Sequence, residues 1–479
     1  MGSELWRLDA TDLSGLIRAG TVSSREAVTD VLARMDEVNP AVNAVVRRMD
    51  HEALAAADQA DAARARGEAL GVLHGVPVTT KINIDQKGHP TDNGVVAFKD
   101  LMAPQDAPTV SHLRKAGAIL VGRTNAPAFS MRLFSDNDLH GRTLNGRDPS
   151  RSPGGSSGGA AAAVAAGMGP ISLGNDIGGS VRIPAYCNGI VGLRVSLGRV
   201  PFYSAIAKDP RPMGSHLMSA MGPLTRTVRD ARLALSVLAQ RDDRDTRWVD
   251  APLEGPARPG PMRVALVPDL PGGTTHPAQA AAVRRAGAHL AAAGYWVEEV
   301  CPPQIEQVID VWHTIGSGDV FRMLAPHMER FGDADAVTSM RLWLEHKPIP
   351  DPLAVLEAFG LRDLLLFQWQ TFFQTYGLVI LPTLADLPPT VGQDLTFEGQ
   401  DQILNAIRPA LICATLGLAG LAVPVGSHGA LRTGVQIIPP RLREDLALEA
   451  GEVIEAAEGV VVAVDPAVDA VVRRMDEEA

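Results

Sequence analysis

Cysteine is scarce in this sequence, and its three residues, Cys187, Cys301 and Cys413, are widely separated along 479 positions. A disulfide framework or a cysteine-based metal site needs more cysteines at short, regular spacings. We therefore expect neither, and the sequence predicts no metal and no organic cofactor. Such sparse thiols are typical of a reducing, cytoplasmic setting.

The sequence also lacks an excess of positive charge and long hydrophobic runs. Its formal net charge is −11, which argues against a nucleic-acid partner. The most apolar long stretch, 158–174, is mostly alanine and glycine and is too short to cross a bilayer about 30 Å thick. The first residues show no basic region followed by an apolar stretch, as a signal peptide would. We therefore expect a soluble protein without a membrane partner.

Lysine is scarce as well, because six of the 44 basic residues are lysine and the rest are arginine. Arginine keeps its proton, whereas a buried lysine can become neutral. Lys81 directly follows the β-branched stretch 74–80, which is typical of a short buried strand. A lysine at that position is a candidate for a neutral base.

Helical and strand-like segments alternate along the chain. Residues 7–70 are predicted to be helical, with N-caps at Thr11 and at Ser23 or Ser24. Short strand-like segments then alternate with helices, and residues 304–375 are predicted to be mostly helical and hold much of the aromatic content. Those aromatic side chains either pack in a helical core or line an apolar pocket. The alternation predicts an α/β core.

Two glycine-rich segments, each with a serine, are the most informative feature of the chain. Segment 151–160 contains Ser156, and segment 174–184 contains Ser180 24 positions later. Serine is a weak nucleophile that needs an adjacent base. A Gly-x-Ser-x-Gly elbow between a strand and a helix is not found, so a histidine-based hydrolase triad is unsupported. A neutral Lys81 would supply the base instead.

These segments, in this order, resemble the amidase signature family of serine hydrolases. The resemblance implies a single large α/β domain with a central twisted mixed β-sheet flanked by helices on both faces. It extends over nearly the whole chain, through the matching segments 75–83, 122–125, 141–159, 174–193, 382–383, 424–426 and 434–436. It divides the chain into four parts. An N-terminal helical segment, 1–70, precedes the catalytic core, 71–303. An aromatic-rich helical segment beside the substrate pocket, 304–375, is followed by a part that completes the core, 376–479.

The resemblance also implies roles for three side chains. Ser180 would be the nucleophile, Ser156 a proton-shuttling serine that follows a cis peptide bond at Gly155, and Lys81 the base. Main-chain N–H groups would hold the oxyanion of an acyl-transfer intermediate, and the matching positions are Ile177, Gly178, Gly179 and Ser180.

Supporting residues flank these positions. Ser157 is expected to cap the helix that follows it, and Asp176 and Arg182 to hold the nucleophile loop together. Arg132 is expected either to bind an acidic group of the substrate or to face solvent. The substrate pocket is predicted to be lined by Ser130, Met131, Arg132 and Phe134.

The sequence therefore predicts a hydrolase that cleaves hydrophobic aryl or alkyl amides through an acyl-enzyme. The same chemistry extends to anilides, esters and carbamates. Two alternatives stay open: the glutaminase subunit of a tRNA-dependent amidotransferase, and a non-catalytic binding protein on the same scaffold. The expected partner is a small amide-type molecule, and the expected oligomeric state is a monomer or a homodimer.

Overall fold

The computed structural model describes residues 4–207, 209–256 and 260–466. In that part of the chain, eleven strands form one mixed sheet in the order β1-β3-β2-β4-β6-β5-β10-β11-β9-β7-β8. The strands are β1 Val45–Arg48, β2 Pro77–Lys81, β3 Ile119–Thr124, β4 Ile171–Asp176, β5 Val191–Arg194, β6 Ala220–Thr225, β7 Arg263–Leu266, β8 Trp296–Glu299, β9 Leu378–Pro382, β10 Gly420–His428 and β11 Leu431–Ile438.

Helices connect and cover these strands. A π-helical turn, Gly316–Phe321, joins α10 to α11. The helices are α1 Ala10–Ala19, α2 Ser24–Val42, α3 Asp50–Ala65, α4 Pro108–Lys115, α5 Gly158–Ala165, α6 Arg182–Asn188, α7 Met213–Met218, α8 Val228–Leu238, α9 Pro277–Ala292, α10 Ile305–Ile315, α11 Arg322–Phe331, α12 Ala334–His346, α13 Pro352–Phe372, α14 Phe397–Ala406, α15 Arg408–Leu416 and α16 Glu444–Glu458.

Parallel pairing brings the ends of three strands to one edge of the sheet. Strand β2 lies between β3 and β4 and is parallel to both. Its last residue, Lys81, is in register with Thr124, the last residue of β3. The neighbouring strand β4 ends at Asp176, four residues before Ser180. Parallel strands with buried faces are typically rich in β-branched residues, which explains the β-branched segment before Lys81.

Helices cover both faces of the sheet, and strand β10 shows why. Successive side chains of a strand point to opposite faces. Leu421 and Val423 pack in the hydrophobic core beneath α8, α9 and α16, whereas Ala422 packs on the other face with the alanines of α5 and α6. The predicted single α/β domain with a mixed sheet flanked on both faces is therefore confirmed.

The N-terminal region departs from its predicted pattern in two places. Residues 7–70 are not all helical, because Val45–Arg48 forms the edge strand β1, which pairs antiparallel with β3. The side chain that caps α1 belongs to Asp9, which accepts from Asp12 N–H, and not to Thr11. Of the two candidates for α2, Ser23 is the N-cap and forms a capping box with Glu26. None of the described helices is long and apolar enough to traverse a bilayer.

Candidate active site

The site is centred on Lys81, whose side chain is fully buried at the end of β2. Its Nζ lies 2.6 Å from Ser156 Oγ and 2.8 Å from Asn175 Oδ1. Burial lowers the pKa of Lys81 to about 7, although the negative charge of Asp176 opposes the shift. A large fraction of this lysine is therefore neutral near neutral pH, as its place in an arginine-rich sequence predicts.

Ser156 follows a cis peptide bond after Gly155, in the geometry that the family resemblance implies. Position 155 has no room for a side chain, because a Cβ there would lie 2.2 Å from the carbonyl oxygen of Arg132. Next to Ser156, Ser157 N–H donates to the carbonyl oxygen of Ser180 at 3.2 Å. The two serine-bearing segments are thus joined directly through the main chain.

Ser157 precedes α5 as expected, but its hydroxyl does not cap that helix. The hydroxyl instead lies 3.4 Å from the carbonyl oxygen of Asn175. The start of α5 packs closely on β4 at this point, because a Cβ at Gly174 would lie 2.8 Å from Ser157 Oγ. Ser157 thus contributes to the joint between the two serine segments rather than to the helix end.

Asp176 organises the turn that carries Ser180. Its buried carboxylate accepts from Gly179 N–H at 2.9 Å and from Val181 N–H at 3.1 Å. It also pairs with the guanidinium groups of Arg182 and Arg194. Burial opposes ionisation, but the two arginines outweigh it and hold the pKa of Asp176 well below its ordinary value. The predicted structural role of Asp176 and Arg182 agrees with these contacts.

The four expected oxyanion donors are not equivalent. Gly179 N–H already donates to Asp176, so the turn uses this group to hold its own shape. In the described part of the chain, the N–H groups of Ile177, Gly178 and Ser180 have no hydrogen-bond acceptor. These three groups therefore stay available to an oxygen atom bound beside Ser180.

Two residues of the site have partners that no local sequence pattern indicates. Asn175 holds Lys81 Nζ through its Oδ1, while its Nδ2 donates to Asn83 Oδ1 at 3.0 Å. Trp312, from α10, donates its Nε1–H to the carbonyl oxygen of Ile177 at 2.9 Å. A Cβ at Gly178 would lie 2.8 Å from the same indole ring. The glycine therefore permits the tryptophan to brace the turn.

Two cavities meet at Ser180. The larger one, here called the outer cleft, has a volume of about 470 Å³ and reaches Asn83, Phe202 and His327. The smaller one, here called the inner pocket, has a volume of about 70 Å³. Both are lined by Ser130, Met131, Ile177, Val320 and Ser180.

The walls of the inner pocket are mainly aromatic and aliphatic. Trp343 stacks on Phe321 with ring centroids 5.7 Å apart. The aromatic-rich segment thus divides between both predicted roles, since Trp369 and Phe373 are buried in the core. The apolar lining of the inner pocket consists of Phe134, Met218, Trp312, Val320, Phe321, Trp343, Ile403 and Ile407.

Arg132 does not face solvent, so that expectation was wrong, and most of its hydrogen-bonding capacity is used within the protein. Its side chain is 2% exposed. Its Nε and Nη2 donate to the two carboxylate oxygens of Asp394 at 2.8 and 3.0 Å. Sequence reasoning missed this pair because its two residues lie 262 positions apart. All four predicted lining residues, Ser130, Met131, Arg132 and Phe134, border the cavities.

Comparison with known proteins assigns the chain to a family. The family model described as Amidase matches residues 26–448. The chain belongs to the amidase family. The sequence is 46% identical over 461 residues to an indoleacetamide hydrolase of Bradyrhizobium diazoefficiens, covering 95% of this chain and 88% of the relative. It is 31% identical to one component of the glutamyl-tRNA(Gln) amidotransferase of Moorella thermoacetica, covering 94% of this chain and 97% of the relative.

Solved structures of amidases share this architecture. A bacterial aryl acylamidase of the amidase signature family superposes with a TM-score of 0.82 at 26% identity, covering 95% of this chain and 97% of the other. A 6-aminohexanoate cyclic dimer hydrolase reaches the same TM-score at 27% identity, covering 97% and 99%. These relatives identify the protein as an amide-hydrolysing enzyme of the amidase signature family.

Proposed function

We propose that this amidase hydrolyses the primary amide of an arylacetic acid, with Ser180 as nucleophile, Ser156 as proton relay and Lys81 as base. The observation that carries the chemistry is the 2.6 Å contact between Lys81 Nζ and Ser156 Oγ, made by a lysine whose pKa burial lowers to about 7. The substrate class is supported by the aromatic inner pocket beside Ser180 and by the 46% identical indoleacetamide hydrolase.

The proton path begins at Lys81. A neutral lysine keeps two N–H bonds and one lone pair on Nζ. Donation to Asn175 Oδ1 at 2.8 Å directs one N–H away, so the lone pair can accept the Ser156 proton. Ser156 Oγ then accepts the proton of Ser180, whose oxygen bonds to the amide carbonyl carbon. Positioned proton transfer of this kind typically contributes about 10²–10⁴-fold to the rate.

The tetrahedral intermediate places negative charge on the former carbonyl oxygen. The N–H groups of Ile177, Gly178 and Ser180 are the donors proposed for it. Collapse breaks the carbon–nitrogen bond, and Ser156 returns a proton to the leaving nitrogen while Lys81 reprotonates Ser156. Water then attacks the acyl-enzyme by the same proton path and releases the carboxylic acid. Each oxyanion donor is typically worth about 10²–10³-fold in kcat.

The outer cleft favours a second group of substrates. Its volume of about 470 Å³ far exceeds the space that departing ammonia needs. Amides with a substituent on nitrogen, such as anilides, would fit that cleft while the acyl group occupies the inner pocket. Carbamates and esters would react through the same acyl-enzyme path and are further candidates for this group.

The test is ammonia or amine release from a panel that contains indoleacetamide, its anilide, a carbamate and glutamine. The Ser180→Ala, Ser156→Ala and Lys81→Met variants should lose at least about 10³-fold in kcat/KM. Ser150→Ala is the matched control, because Ser150 is an exposed serine directly before the segment that carries Ser156. Full activity of Ser180→Ala would refute the assignment. Hydrolysis of glutamine alone, and only with a partner protein, would favour the amidotransferase alternative.

A further inference from the structure

The inner pocket is lined by residues with polar atoms that the protein itself leaves without hydrogen-bond partners. Buried polar groups nearly always have a hydrogen-bond partner. Among the described residues, Gln400 Oε1, Trp343 Nε1 and Arg132 Nη1 are buried without one, and all three residues line the inner pocket. An apolar pocket with a few placed polar groups is the usual design for orienting one ligand.

Gln400 supplies the one acceptor among these three atoms. It lies on α14 and is 1% exposed. Its main-chain N–H donates to the carbonyl oxygen of Thr396 within the helix turn, but among the described residues its side-chain Oε1 has no hydrogen-bond donor. A buried amide oxygen left in this state is destabilising, because it has lost its hydrogen bonds to water without gaining others. A bound molecule that supplies the missing bond removes this destabilisation.

The other two atoms belong to side chains that are otherwise held. Arg132 donates hydrogen bonds from two of its nitrogens to Asp394, and its third nitrogen, Nη1, lies 3.7 Å from Asp335 Oδ2. Trp343 is fixed by stacking on Phe321. Both offer donors, whereas Gln400 Oε1 offers an acceptor. The pocket therefore presents one unmatched acceptor among aromatic walls.

We propose that Gln400 is a specificity-determining residue that accepts a hydrogen bond from a ring N–H on the acyl group of the substrate. This proposal rests on the proposed function, because it places an aromatic acyl group in the inner pocket. A heteroaromatic ring with an N–H, such as indole, satisfies Gln400 Oε1. A carbocyclic or oxygen-containing ring of the same shape fills the space and leaves the acceptor unpaired. Sites with buried polar groups reject such analogues strongly.

The test compares three acetamides that differ in the ring alone: indole, benzofuran and naphthalene. The wild-type enzyme should prefer the indole compound in kcat/KM by about 10- to 100-fold. Gln400→Leu should lower kcat/KM for that compound by a similar factor and leave the other two unchanged or improved. Gln402→Leu is the matched control, because Gln402 lies on the same helix, is exposed, and bonds to Gln393. Trp343→Phe keeps an aromatic wall with a smaller ring, removes Nε1 and should retain the indole preference.

A binding measurement separates this proposal from the proposed function. In a Ser180→Ala background, calorimetry should show indoleacetic acid binding about 10-fold more tightly than naphthylacetic acid, and Gln400→Leu should abolish the difference. This binding preference would support the subsite even if no acetamide is hydrolysed. Equal turnover of indole and benzofuran compounds by the wild-type enzyme would overturn the proposal. Equal losses on all three substrates in Gln400→Leu would also overturn it, because they indicate a general structural role.

Discussion

Replacing Lys81 with methionine should abolish activity and make the protein more stable near neutral pH. Burial lowers the pKa of Lys81 from 10.5 to about 7, so the folded state disfavours the protonated lysine that the unfolded chain prefers. Between pH 7 and pH 10.5, Lys81 is protonated in the unfolded chain and neutral in the folded protein. The free energy of unfolding therefore rises with pH across that range. Below about pH 7 the full cost of the buried charge is present.

The magnitude follows from the same pKa. Each pH unit below 10.5 costs about 1.4 kcal/mol until the folded pKa is reached, which amounts to about 4 kcal/mol at pH 7.5. Methionine removes this cost but also loses the contacts with Ser156 and Asn175, worth about 1 kcal/mol each. The net gain is about 2 kcal/mol at pH 7.5, and the two proteins should be equally stable near pH 9.

Thermal unfolding of wild type and variant at one scan rate, from pH 6.5 to 10.5, measures this effect. We expect the variant to melt about 2 °C higher at pH 7.5 and lower than wild type at pH 10.5. Lys115→Met is the control, since Lys115 is exposed at the end of α4 and its replacement should show no such reversal. A variant that is less stable at pH 7.5, or a difference independent of pH, would refute the reasoning.

Three further predictions concern pH and a buried ion pair. The kcat/KM for the preferred amide should rise with pH and level off above about 7, because only neutral Lys81 accepts a proton; a flat profile from pH 5.5 to 8 would contradict this. Burial raises the pKa of Glu455 to about 7, so its ionised form lowers stability as pH rises from 4.5 to 7. The shift alone corresponds to about 3 kcal/mol, which solvent screening of this half-buried group reduces. Glu455→Gln, which keeps the acceptor for Val228 N–H, should therefore raise the free energy of unfolding by about 1–2 kcal/mol at pH 8 and by nothing at pH 4. Asp394→Ala should cost about 3–5 kcal/mol in urea unfolding, because it removes the bidentate partner of the buried Arg132 and leaves only the more distant carboxylate of Asp335; the double variant with Arg132→Met should recover most of that loss.

The sequence was most informative where chemistry depends on consecutive residues. The glycine–serine segments identify Ser156 and Ser180 because their spacing and flanking glycines are local features. Lys81 could be singled out because a lysine after a β-branched strand is unusual in an arginine-rich chain. The alternation of elements was sufficient for an α/β fold, since hydrophobic periodicity is itself a local signal.

Contacts between distant segments could not be predicted in this way. Arg132 looked like a surface or substrate-binding arginine because Asp394 lies 262 positions away. The bracing of Ile177 by Trp312 joins residues 135 positions apart. Strand β1 was missed because its four residues, Val45–Arg48, are a strand only through pairing with β3. Tertiary context overrides local preference in such short segments.

Reactive groups and pocket walls come from separate parts of the molecule, which bears on how this enzyme can diverge. Lys81 and the Ser180 turn lie where β2 and β4 end, whereas Trp343 and Gln400 come from α12 and α14. Substitutions on those helices can change which acids are released without altering proton transfer. Trp312 constrains this freedom, since it both forms a wall and holds the Ile177 carbonyl. We therefore expect Trp312 to be retained while substitutions elsewhere in the pocket change the range of substrates.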